Sequence, residues 1–125
     1  MNLLLVVLGG GVGAGSRYLL GGWLQGQLGN GFLWGTFAVN ALGSLMIGLV
    51  FGLAQRGFLP PAATLFLAVG VLGGFTTFSA FSYETMLLLA NGSVGASFLN
   101  VAGQFAVGLV AVYAGFVAVR GLAGA

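Results

Sequence analysis

Four long apolar stretches fill almost the whole chain. They run roughly from Leu3 to Leu24, from Phe32 to Ala54, from Ala62 to Ala90 and from Val94 to Val119. Each reaches the about 20 residues that a helix needs to cross a hydrocarbon core. Inside lipid every backbone N–H and C=O must find its partner within the protein, so a run of this kind folds as a helix. The sequence therefore predicts an all-α integral membrane protein with four transmembrane helices, forming a single domain over 1–125.

The charge content agrees. Only 3% of residues are charged, against about a quarter in soluble domains. The four charged side chains are Arg17, Arg56, Glu84 and Arg120. They form no basic patch, so nucleic acid is not an expected partner. The chain has no Cys and no His, and Glu84 is its one carboxylate side chain. A catalytic triad, a carboxylate pair or a His-ligated metal cannot be assembled from this set, and no enzyme activity is expected. The first stretch lacks the basic residues that precede a cleaved signal, so it reads as the first membrane helix.

The breaks between stretches carry turn chemistry. Gly29-Asn30-Gly31 marks the first; Arg56-Gly57 with Pro60-Pro61 marks the second; Asn91-Gly92-Ser93 marks the third, with Ser93 as the expected N-cap. Four crossings put both termini on one side. Arg56 and Arg120 fall near that side and Arg17 towards the other, a weak bias under the positive-inside rule. Insertion in both orientations, and hence an antiparallel dimer, is permitted.

As one straight helix the third stretch would be about 44 Å long, against a core of about 30 Å. Gly73-Gly74-Phe75-Thr76-Thr77 lies near its middle and combines flexible with β-branched residues. A break near 73–77 is expected, of the kind tolerated where freed backbone lines a cavity or binds an ion. The chain's 25 glycines include pairs at helical spacing, such as Gly9 with Gly13, Gly48 with Gly52, and Gly70 with Gly73 or Gly74. These read chiefly as close helix packing.

Thr36, Asn40 and Ser44 share one face of the second helix. Thr36 and Ser44 fit a bond back to their own helix; Asn40 reads either as an interhelical bond or as a ligand in a permeation pathway. On the third helix Phe78 and Phe81 lie on nearly one face, beside a hydroxyl row of Thr76, Ser79 and Ser82. Ring edges are electropositive, and hydroxyls and amides are neutral donors, so the set suits a small anion. Permeation further requires binding weak enough to release the ion. Arg17 either snorkels to the interface or draws anions to a vestibule, and Glu84 either pairs with Arg17 or caps a helix end. The fourth helix adds Ser97, Asn100 and Gln104.

Three segments resemble the Fluc (CrcB) family of fluoride channels: Gly9-Gly10-Gly11-Val12-Gly13-Ala14-Gly15-Ser16-Arg17-Tyr18, Gly35-Thr36-Phe37-Ala38-Val39-Asn40-Ala41-Leu42-Gly43-Ser44, and Gly73-Gly74-Phe75-Thr76-Thr77-Phe78-Ser79-Ala80-Phe81-Ser82-Tyr83-Glu84. The resemblance covers nearly the whole chain. It implies a passive, fluoride-selective channel that protects a microbe from fluoride accumulation. It implies a multi-pass protein of the cell inner (plasma) membrane and an antiparallel, dual-topology homodimer with two pores. Phe78 and Phe81 would match the pore-lining aromatics and Asn40 the pore-side Asn, with Ser79, Thr77 and Thr36 near the path. Carbonyls of Gly73 and Thr76 would bind a structural Na⁺ at the dimer interface. Arg17 would match the vestibule Arg, and Glu84 the family's Glu. Many relatives carry a Tyr and Ser track on the fourth helix; Asn100 and Gln104 stand there in this chain. The competing reading is a small proton-coupled multidrug exporter. It needs a titratable membrane carboxylate, for which Glu84 is the one candidate.

Overall fold

The computed structural model describes residues 1–29 and 32–122. Asn30 and Gly31 of the first expected turn lie outside the described residues. Four helical spans are long and apolar enough to cross a membrane. The first is α1 (Asn2–Leu28) and the second α2 (Trp34–Gln55). The third occupies Pro61–Ala90. Within it, α3 (Pro61–Thr64) leads into a π-helical segment (Leu65–Leu72), then α4 (Gly73–Phe75) and α5 (Phe78–Ala90). The fourth is α6 (Val94–Leu122).

Local chemistry explains where the helices stop. After α2, Gly57 takes φ 78°, the Gly57 amide donates to the Ala54 carbonyl, and Phe58 donates to Leu53. After α5, Gly92 takes φ 80°, donates to Leu89, and Ser93 donates to Leu88. Both are Schellman ends, in which a left-handed residue turns the following amides back onto the last carbonyls. That conformation is strained for a residue with a Cβ, which is why glycine stands at both. Pro61 opens the third span at a position where no intrahelical N–H is required.

Packing follows the glycines. A Cβ on Gly13 would collide with the Val71 carbonyl oxygen, and one on Gly74 with the Gly10 carbonyl oxygen. The first span thus lies backbone to backbone on the first half of the third. A Cβ on Gly48 would strike the Val112 carbonyl oxygen, and one on Gly115 the Leu45 carbonyl oxygen, so α2 and α6 meet in the same way. Close approach of this kind is how small residues hold membrane helices together without a hydrophobic driving force. Gly73 is different: it is exposed, with only the Ala68 oxygen at 3.8 Å.

The buried apolar core is correspondingly small. It comprises Val39, Val50, Ala68, Leu72, Phe75, Phe81 and Val119, whereas large side chains such as Leu19, Phe98, Leu109 and Tyr113 point outward. An apolar exterior around a small, polar-containing interior is the pattern of a protein that faces lipid.

Candidate functional site

The site begins where helical geometry pauses in the third span. Thr76 (φ −87°, ψ 155°) and Thr77 (φ −147°, ψ 120°) are extended. Thr76 returns its hydroxyl to the Leu72 carbonyl at 2.9 Å. Thr77 N-caps α5, its hydroxyl accepting from the Ala80 amide at 3.1 Å. An extended residue between helices loses its ladder partners, and at membrane depth something else must supply them.

Asn40 supplies them. The Thr77 amide donates to Asn40 Oδ1 at 2.8 Å, and Asn40 Nδ2 donates to the Thr77 carbonyl at 3.0 Å. Asn40 Nδ2 also donates to Gln104 Oε1 at 2.7 Å. From there the bonds continue up α6: Gln104 Nε2 donates to Asn100 Oδ1 at 3.0 Å, and Asn100 Nδ2 to Thr85 Oγ1 at 2.9 Å. Ser97 joins by donating to the Thr85 carbonyl at 3.1 Å.

This chain borders a groove of about 350 Å³ lined by Asn40, Gly43, Ser44, Ile47, Thr76, Thr77, Phe78, Phe81, Gln104 and Phe105. Gly43 makes room for it, since a Cβ there would collide with the Thr76 methyl. The rings form a cluster: Phe78 and Phe81 have centroids 5.5 Å apart, and Phe81 meets Phe105 edge-on at 6.1 Å. Their settings differ. Phe81 is buried at 7% exposure, while Phe78 is 72% exposed.

A second cleft, about 230 Å³, lies between the first three spans and includes Arg17, Gln25, Thr36, Thr77 and Glu84. Thr77 thus borders both spaces. Arg17 donates through Nε to the Gly74 carbonyl at 3.1 Å, and Thr36 donates to Glu84 Oε1 at 2.8 Å. Glu84 Oε2 is buried without a partner. Arg17 and Glu84 share the cleft, but each bonds elsewhere rather than to the other. Gln25 braces the cleft's rim, donating to the Gly29 and Phe32 carbonyls and accepting from the Gly35 amide.

The structure thus brings Asn40, Thr77, Phe78, Phe81 and Gln104 to one groove, and Thr36, Arg17 and Glu84 to the adjoining cleft. Asn100 is fully buried behind the groove rather than in its lining. Ser79 is exposed, with its hydroxyl 3.3 Å from that of Thr77. The expected row of Thr76, Ser79 and Ser82 does not form, because Thr76 is extended and a three-residue step from it is not a helical step. Phe105 and Thr85 were not singled out by the sequence. A Phe next to Gln104 in a uniformly apolar helix gives no periodic signal, and Thr85 looks like any hydroxyl that bonds its own helix.

A lipid-facing shell of four spans enclosing a short run of neutral donors and phenyl rings defines a small multi-pass membrane protein. The likeness to known proteins is close. The chain matches the family model described as CrcB-like protein, Camphor Resistance (CrcB), over residues 4–116, and it belongs to that family. It is 55% identical over 113 residues to the fluoride-specific ion channel FluC of Thermus thermophilus, covering 90% of this chain and 89% of that one. It is 45% identical over 122 residues to the protein of the same name from Geobacter sulfurreducens, covering 97% and 98%. The Agrobacterium fabrum protein of that name is 43% identical over 123 residues, covering 98% of each.

Proposed function

We propose that this protein is a passive, fluoride-selective ion channel that lets fluoride leave the cell across its inner (plasma) membrane and so confers fluoride resistance. The carrying observation is the groove itself: the Gln104 amide, braced by Asn40 and Thr77, beside Phe78, Phe81 and Phe105, in a chain 55% identical to a protein named a fluoride-specific ion channel. Neutral donors and ring edges replace part of an anion's hydration shell without the tight hold of a full charge. Arg17 in the adjoining cleft would draw the ion towards the groove.

The proposed assembly is an antiparallel, dual-topology homodimer with two pores. The exposure of Phe78 and of Gly73 supports it, since a second copy would cover both. The proposed structural Na⁺ fits the residues at the pause in the third span. Helical geometry ends at Phe75 and Thr76 is extended, so carbonyls there leave the ladder, and carbonyl oxygens are hard ligands suited to Na⁺. Gly73 and Thr76 would hold the ion by those oxygens, while the Gly74 carbonyl is already taken by Arg17. The ion would supply fixed positive charge between the two copies.

The test is anion efflux from liposomes holding the purified protein, followed with fluoride and chloride electrodes. Rapid fluoride release with chloride retained is expected. Retention of fluoride by liposomes containing folded protein would overturn the reading.

A further inference from the structure

Asn100 is completely buried and borders neither the groove nor the cleft. A buried amide in an apolar bundle is costly unless its bonds are made, so its bonds are the clue to its task. It accepts from Gln104 Nε2 and donates to Thr85 Oγ1, and Thr85 passes its own proton to the Phe81 carbonyl at 2.7 Å.

The direction of this chain is forced from both ends: Thr85 gives its proton to the Phe81 carbonyl, so Asn100 must turn Nδ2 to Thr85 and Oδ1 to Gln104. The Thr77 amide can only donate, so Asn40 must turn Oδ1 to it and Nδ2 away from it. Both Asn40 N–H groups are then committed, one to the Thr77 carbonyl and one to Gln104 Oε1. Gln104 answers with oxygen, which turns its Nε2 to Asn100, and Asn100 answers with oxygen in turn. Every amide has a single orientation consistent with its neighbours. Gln104 Nε2 has two N–H groups and uses one on Asn100, so one remains on a residue that lines the groove.

We infer that Asn100 is a positioning residue: it holds the Gln104 amide in the orientation that offers nitrogen, not oxygen, to an anion in the groove. This rests on the anion-channel reading. A flipped Gln104 would present a carbonyl oxygen to the ion and repel it. Asn40, with no donor left, acts as the strut that starts the chain, and Gln104 is the donor that meets the ion.

The experiment is a double-substitution cycle with two readouts. Asn100→Leu is expected to slow fluoride efflux about tenfold, the effect of one lost oriented hydrogen bond. Gln104→Met, which keeps length and removes the amide, is expected to slow it comparably. In the Gln104→Met background, Asn100→Leu is expected to add nothing, because its effect passes through Gln104. Losses that multiply, or an Asn100→Leu rate equal to wild type, would overturn the inference. The second readout needs no flux: hydrogen exchange of the ¹⁵N-labelled Gln104 side-chain amide in detergent, assigned by its disappearance in Gln104→Met. Faster exchange in Asn100→Leu is expected, and unchanged exchange would overturn the inference. If wild type conducts no fluoride, the channel reading fails while this readout still decides the coupling of the two amides. Should Asn100→Leu not fold, Asn100→Ala serves instead: it removes both bonds with less bulk, so faster exchange is expected, and exchange as slow as in wild type would overturn the inference.

Discussion

Asn40 and Thr77 hold each other through two antiparallel hydrogen bonds, side-chain amide to backbone amide, at 2.8 and 3.0 Å. The Asn side chain has the same donor and acceptor as a peptide group, so it stands in for the helical neighbours that extended Thr77 has lost. The second span thereby clamps the third where its helical geometry pauses. The groove and the cleft both border Thr77, so this clamp sets the shape of each.

Removing the clamp leaves two backbone groups unpaired in an apolar setting. Asn40→Leu is expected to destabilise the protein by about 3 kcal/mol, roughly the cost of two unsatisfied groups. Fluoride efflux should fall with it. Asn40→Asp keeps the acceptor for the Thr77 amide but cannot supply both donors, so it should conduct poorly as well. Unfolding midpoints in detergent and liposome efflux check both, and an Asn40→Leu protein as stable as wild type would contradict the clamp.

Much of this is legible in the sequence. Four apolar runs dictate four spans because lipid leaves the backbone no alternative, and Gly57 and Gly92 mark helix ends because few other residues take a positive φ. The polar residues also stood out, since an amide or hydroxyl in a run of Leu, Val and Phe requires a reason. What the sequence could not give was pairing. Asn40 with Thr77, Asn100 with Thr85, and Thr36 with Glu84 join residues on different helices, and periodicity along one helix contains no information about rotation against the next. The π-helical stretch Leu65–Leu72 was equally hidden, because its residues suit an ordinary α-helix.

Phe81 is the ring most enclosed by the site, touching both Phe78 and Phe105. Phe81→Ile removes the ring and its electropositive edge while keeping a branched apolar side chain. Fluoride efflux is expected to fall at least tenfold, on the order of the loss of one to two kcal/mol of ring-edge interaction. The proposed dimer should survive, as read by cross-linking in detergent. Unchanged efflux would show that the ion does not pass these rings.

Two glycines of the first helix should respond oppositely to the same change. Gly13→Ala drives a methyl into the Val71 carbonyl oxygen and must part the first and third spans. The expected cost is about 1–3 kcal/mol, as for other overpacked contacts. Gly26 has nothing within 4 Å of a Cβ, so Gly26→Ala gains helix propensity of up to about 1 kcal/mol. Thermal midpoints of the two variants should lie on opposite sides of wild type; equal midpoints would mean that glycine contacts do not set the packing.

Glu84 separates the channel from the exporter, and its bond to Thr36 supplies the means. Thr36→Val removes the donor to Oε1, and Oε2 already lacks a partner. The carboxyl is then left with neither oxygen satisfied, at an expected cost of about 1–3 kcal/mol. Replacing both members with apolar groups removes the unsatisfied group altogether, so Thr36→Val with Glu84→Leu should recover most of that stability. A carboxylate that merely shapes the cleft allows this repair, and fluoride efflux from wild type should then be indifferent to an imposed proton gradient. An exporter must instead load and unload a proton at its membrane carboxylate in every cycle. Cation transport that is driven by a proton gradient and lost in Glu84→Gln would therefore move the assignment from channel to exporter.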